Sequence, residues 1–446
     1  MRMRLWIMNP LAILADDAGG GLVVEGGRIV ELVPAGRVPL QPVDERFDAS
    51  RHVIIPGLIN THHHFFQTLS RAHPKAYNSE LFPWLVALYP IWGRLNRDMF
   101  RIGARLAMAE LLLSGCTTAM DHNYMVFKGL EDATDIEVEE ARALGLRATI
   151  TRGSLSLSQK DGAVPPDHIV QDEETILADS ERVLQTYHDT SDGAMTQIAL
   201  APCAPFNVSR EVMRSSVELA ERYDCRLHTH LAETEDEEAF CKATFGYRPI
   251  DWLEDCGWLQ PRTWLAHGIH FTADDCSKLG HHGVGVCHCA TSNAVLASGF
   301  CPTLELEAAG SPVGLGVDGS ASNDGSNLME EVRHALMVNR LGYRSADRVT
   351  HRDALRWATK GSARCLGRDD IGEIAPGKQA DLALFTLDEM RFSGQHDPIA
   401  ALVHCGATRA DRVMVAGIWR VIDGAIPGLD VSALIAEHTA AARIFD

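Results

Sequence analysis

The sequence predicts an α/β fold: a (β/α)8 TIM barrel with a small β-sandwich domain formed from both chain ends. Three observations predict it. Short β-branched runs punctuated by Gly and Pro stand at both termini. Between them, short apolar strand candidates alternate with stretches that are apolar at helical spacing. Several of those candidates end in histidine or carboxylate side chains, where a barrel carries its active site.

The 446 residues suffice for one large barrel plus a smaller unit. Hydrophobic residues make up 46% and charged residues 23%, an ordinary globular composition. A net charge of −19 repels phosphate backbones and anionic lipid, which argues against nucleic acid and membrane surfaces as partners. The 11 cysteines are odd in number and lack the spacing of a disulfide scaffold, so free thiols in a reducing cytoplasm are expected. The opening "MRMRLWIMNPLAILA" imitates a signal peptide, but Asn9 and Pro10 interrupt it and Asp16-Asp17 follow; it reads as a strand and turn. No apolar run approaches the length that spans a bilayer.

Residues 1–55 and 370–446 are assigned to the small sandwich. In the first block "GGGLVVEGGRIVELVP" is a hairpin pattern; residues 371–388 and 413–424 carry the matching texture at the far end. Residues 56–369 are assigned to the barrel. Its strand candidates are 53–60, 117–121, 147–151, 197–202, 226–231, 263–266, 283–287 and 312–317. Stretches such as "FRIGARLAMAELLLSG" and "SREVMRSSVELAERYD" supply helices, the second opened by Ser209 as N-cap with Glu211 behind it. After the first strand, "AHPKAYNSELFPWLVALYPIW" reads as a long aromatic loop (Tyr77, Phe82, Trp84, Tyr89, Trp92). It is either packing or a lid over a flat substrate, with Trp84 a candidate contact.

The first strand ends in His62-His63-His64. Side chains alternate along a strand, so His62 and His64 share the face toward the barrel mouth, while His63 points at the helices. The fifth strand adds His230 and the eighth Asp318, giving a three-histidine, one-carboxylate donor set suited to zinc, with iron or manganese as alternatives. Glu233, beside such a centre, is the candidate general base. His267, ending the sixth strand, orients the attacking water, polarises the substrate or braces the site. His228 and His270 are expected to support the ligands. The "CHC" of Cys287 to Cys289 lacks a matching pair and reads as core.

Together "PGLINTHHH", "HLAE", "AHGIH", "VDGSASND" and "GEIAPGKQADLALF" resemble the amidohydrolase superfamily, in its deaminase and chlorohydrolase branch, over essentially the whole chain. The resemblance implies one divalent metal per chain, most simply Zn2+ with Fe2+ as the alternative, on His62, His64, His230 and Asp318. It also implies Glu233 as proton shuttle, with His267 and Asp318 assisting the water. Within the branch, "HHHFFQTLSRAH", "ELFPWL" and "APCAPF" look most like the 8-oxoguanine deaminases. In guanine deaminases the glutamine of the first motif contacts the purine, which carries over to Gln67. Those enzymes commonly place an arginine where this chain has Cys203, a small weak donor that either sits against an added oxygen or is simply core. The expected reaction is hydrolytic deamination at C2 of 8-oxoguanine, giving urate and ammonia. Guanine or pterin deamination and triazine-type dechlorination are the alternatives. A homo-oligomer, dimer or larger, is expected.

Overall fold

The structure, a computed structural model, describes residues 3–446; Met1 and Arg2, at the head of the expected terminal β unit, lie outside the described residues. Eight parallel strands form one sheet in sequence order: Leu58–Asn60, Cys116–Asp121, Arg147–Ser154, Thr196–Pro202, Arg226–Leu231, Thr263–His267, Gly285–His288 and Val313–Leu315. Side-chain and backbone bonds join the eighth strand to the first: Thr61 N donates to Leu315 O (3.0 Å), Val317 N to Asn60 Oδ1 (2.9 Å) and Asp318 N to His62 O (3.0 Å). The first and last strand ends, which carry His62, His64 and Asp318, are thereby held side by side.

The chain ends form two further sheets. Arg28–Val33, Gly21–Glu25, Arg4–Met8 and Glu45–Asp48 make one; Ile418–Val421, Arg412–Val415, Leu382–Thr386, His52–Pro56 and Ala12–Ile13 make the other. Leu5, Ile7, Leu22 and Val24 of the first pack with Ile54, Leu382, Leu384 and Met414 of the second in one buried cluster, a sandwich core. Arg147, at the foot of the third barrel strand, forks onto Asp381 of the sandwich (3.0 and 3.2 Å), and both side chains are buried. The helix Val431–Ala442 leaves the sandwich and packs on the barrel helix Arg97–Leu113.

Two expectations need correction. The single strand expected over 53–60 is two strands in two different sheets, broken at Gly57. The chain there passes so close to its neighbour that a Cβ on Gly57 would stand 2.2 Å from the Thr117 side chain. The aromatic stretch after the first strand is not all loop: Leu81–Trp92 is helical. Leu81, Trp84, Leu85, Leu88 and Trp92 fall at helical spacing on one buried face, and this outweighs two prolines. Pro83 sits in the first turn, where no N–H is needed, and Pro90 stands two residues before the end.

Among the described residues no helix is long and apolar enough to cross a membrane.

Candidate active site

The alternation of an extended backbone separates the three consecutive histidines. His62 Nε2 and His64 Nε2 each lie 3.3 Å from Asp318 Oδ1, and His230 Nε2 lies 3.2 Å from His64 Nε2. His63 faces the other way, onto Ser326 Oγ (3.0 Å) and the Phe65 ring. All four of His62, His64, His230 and Asp318 are buried.

Their ring tautomers follow from the groups behind them. His64 Nδ1 is 2.8 Å from His122 O, and His230 Nδ1 is 2.6 Å from Cys203 O. A carbonyl only accepts, so each Nδ1 carries the proton and each Nε2 presents a lone pair. For His62 the logic runs through one more ring. His228 Nδ1 donates to Trp264 O (2.9 Å), which leaves His228 Nε2 as acceptor for His62 Nδ1 (2.9 Å). His62 Nε2 is then a buried lone pair with no hydrogen-bond partner. Burial pushes the His62 and His230 rings well below their ordinary pKa, keeping them neutral. In these tautomers three imidazole lone pairs and one carboxylate converge in a buried space, the donor chemistry of a divalent cation, and they fit one. Ser292 Oγ and Gly319 N donate to Asp318 (both 2.6 Å), fixing its orientation.

Glu233 and His267 stand beside this cluster, His267 Nε2 3.5 Å from Glu233 Oε2. Burial, reinforced by the Asp318 charge, pushes the Glu233 carboxyl well above its usual range, so it holds a proton readily. Glu237 accepts from Ala232 N (3.1 Å) and Glu233 N (2.9 Å), pinning the turn that carries Glu233. Asn293 Oδ1 holds His267 Nδ1 at 3.0 Å. Ala232, His267 and Asp318 all adopt left-handed backbone (φ 54°, 73° and 64°), unfavourable for side-chain-bearing residues. Strain concentrated on three strand ends around one cavity is characteristic of a functional site.

The cavity over the cluster is lined by Trp84, Cys203 and Gln67 among others. Trp84 spends its indole N–H on Ala321 O (3.1 Å), leaving its ring as wall. Gln67 is fully buried and its Nε2 donates to Tyr124 Oη (3.1 Å). Cys203 Sγ lies 3.6 Å from Asn207 Nδ2, and burial pushes its thiol up to about 12. His270 stays outside: it meets the Glu233 turn only through its backbone N–H, on Ala232 O (2.9 Å). Cys287 and Cys289 lie in an apolar cluster with Trp264 and Ile59, as core.

Sequence reasoning missed His122, which stacks on His230 with centroids 4.6 Å apart and supplies the carbonyl for His64. It follows the second strand in "MDHNY", and the strand-end logic used elsewhere would have found it. Tyr124 and Asn207 were also missed; single polar residues in loops carry no spacing signal.

Residues 53–419 match the Amidohydrolase family. The chain is 62% identical over 98% of its length, and 98% of the relative's, to an 8-oxoguanine deaminase of Pseudomonas aeruginosa. It is 35% identical to an isoxanthopterin deaminase of an unknown prokaryotic organism, over 90% of this chain and 87% of that one. Among solved structures, an atrazine chlorohydrolase from Arthrobacter aurescens complexed with zinc superposes with a TM-score of 0.91 at 29% identity, covering 98% of this chain and all of the other.

Proposed function

From the premise that the chain belongs to the amidohydrolase family, we propose that it hydrolytically deaminates 8-oxoguanine to urate and ammonia. Full-length identity to the Pseudomonas aeruginosa enzyme carries the reading. His62, His64, His230 and Asp318 would hold one divalent metal, Zn2+ by preference and Fe2+ as the alternative. When bound, such an ion acts as a Lewis acid and lowers the pKa of water at neutral pH.

The chain's own residues do the rest. Water adds at C2 of the purine. Glu233 takes one proton from it and delivers that proton to a ring nitrogen, then takes the second from the new C2 hydroxyl and passes it to the departing amine. The C2–N bond breaks, a C2–O bond replaces it, and ammonia leaves. A carboxyl whose pKa burial has raised suits both the taking and the giving. His267, fixed by Asn293, holds its Nε2 toward Glu233 and the water's place, orienting the attack. The buried, aromatic-lined cavity keeps bulk water from competing for these protons.

The eleven cysteines, none in a disulfide, support a reducing cytoplasmic setting. Assembly as a homo-oligomer remains part of the proposal.

The test is an ammonia-release assay over a panel of 8-oxoguanine, guanine, isoxanthopterin and a chlorotriazine. The highest kcat/KM is expected on 8-oxoguanine. A preference for guanine, or chloride release from the triazine outpacing ammonia release, would overturn the reading.

A further inference from the structure

Two consecutive residues at the end of the second barrel strand grip the chain around His64. His122 N donates to His63 O (2.7 Å), His64 Nδ1 donates to His122 O (2.8 Å), and Phe65 N donates to Asp121 Oδ1 (2.6 Å). Residues 63 to 65 are thus held at three successive points. Phe65 also opens the turn Phe65–Ser70, and His64, in the N-cap position, gives that turn no side-chain cap. Asp121 supplies the missing acceptor from the neighbouring strand.

Asp121 needs support of its own. It is fully buried, and so is Glu137 of the helix Ala133–Leu144. Asp121 Oδ2 and both carboxyl oxygens of Glu137 meet no N–H or hydroxyl among the described residues. Their carboxyls hydrogen-bond to each other, and no lysine or arginine stands by to neutralise them. Two carboxyls attract in such a place only with a proton between them, since two bare charges would repel. The Phe65 N–H favours charge on Asp121. Burial, reinforced by the Asp121 charge, pushes Glu137 well above its ordinary range. The proton therefore sits on Glu137, and Asp121 accepts it as it accepts Phe65 N.

Resting on the proposed metal donor set, we infer that Glu137 is a positioning residue for the metal site: its carboxylic O–H donates to Asp121, which keeps Asp121 on Phe65 N and so holds His64 in its ligating orientation. Glu137 acts only through Asp121 and stands on a helix outside the barrel wall. The chain of command runs from helix to strand end to ligand, each link a hydrogen bond to a group with no other buried partner on that side.

The experiment compares wild type, Glu137→Gln and Glu137→Leu as metal-loaded enzymes. It follows the rate at which EDTA strips the metal, and the infrared difference spectrum in the carboxylic C=O region. Glu137→Gln puts an amide N–H where the O–H stood, so its stripping rate should stay within about threefold of wild type. Glu137→Leu leaves Asp121 without that donor, and stripping should quicken by about 10- to 100-fold, the usual effect of losing a group behind a metal ligand. Wild type should show a protonated-carboxyl band that Glu137→Gln lacks. A merely structural role would lower the unfolding midpoint of Glu137→Leu and leave the stripping rate unmoved, which would overturn the inference. So would Glu137→Gln stripping as fast as Glu137→Leu. If Glu137→Leu does not fold, the infrared comparison of wild type with Glu137→Gln decides, and no band lost between them overturns the inference. Wild type that binds no metal would overturn the proposed donor set and this inference together.

Discussion

Each imidazole around Asp318 is told which nitrogen to present by a group behind it, so single substitutions should separate by direction rather than by distance. His64→Ala should remove metal and activity together, from a wild-type content of about one metal per chain. His63→Ala, whose ring turns onto Ser326, should keep its metal. Elemental analysis of the three proteins decides it, and equal metal loss in both variants would contradict the assignment of the two faces. Glu233→Gln should keep metal and lose kcat by roughly 10²–10⁴-fold, the usual share of a positioned acid–base group; near-full kcat would move proton transfer to another side chain. The facing of the three histidines was legible because alternation along a strand is local. The carbonyls of His122, Cys203 and Trp264 that set the tautomers were not, because a backbone oxygen has no signature and its partner lies far away in sequence.

Elements were legible where their period was clean and their ends were marked. Seven of the eight barrel strands were foreseen as such, the first only as part of a longer run, and Ser209 does cap the helix Arg210–Tyr223 through Val212 N. The two misread stretches fail for opposite reasons. Over 53–60 an unbroken apolar run hides a change of sheet, because both sheets want the same residues and only Gly57 marks the crossing. Over Leu81–Trp92 the prolines suggest a loop, but a buried apolar face supplies what propensity withholds. Gly57 therefore carries a prediction. Gly57→Ala should force the Thr117 side chain aside and destabilise the fold by about 1–3 kcal/mol, the usual cost of overpacking. Thermal or denaturant unfolding measures it, and an unchanged midpoint would mean that the two chains pass each other less tightly than the geometry indicates.

At the scale of the molecule, barrel and sandwich meet through the buried Arg147–Asp381 fork, and the C-terminal helix returns to the barrel, where His438 Nε2 meets Thr68 Oγ1 (3.1 Å). The barrel's layered order was legible from alternating texture; the return of the last helix was not, since residues 431–442 carry little amphipathic pattern. Many histidines are buried neutral, and this sets an acid limit. Burial lowers His288 from 6.5 to about 4, and His438 to about 4 as well. A histidine whose folded pKa lies below its unfolded value contributes stability that is fully present above the unfolded pKa. That contribution is lost as pH falls from there to the folded value. Unfolding free energy should therefore drop between pH ~6.5 and ~4, by on the order of 3 kcal/mol from His288 alone. Denaturant titrations across that window measure the slope, and His288→Asn should flatten it. A flat wild-type profile would contradict the neutral burial of these rings.

The central claim is that this chain adds water to C2 of 8-oxoguanine and expels ammonia. The most direct measurement is the mass of the product formed in a single turnover in ¹⁸O-labelled water. The account predicts urate carrying one labelled oxygen, at C2, with one equivalent of ammonia. Unlabelled urate, a label elsewhere in the ring, or 8-oxoguanine recovered unchanged would contradict it.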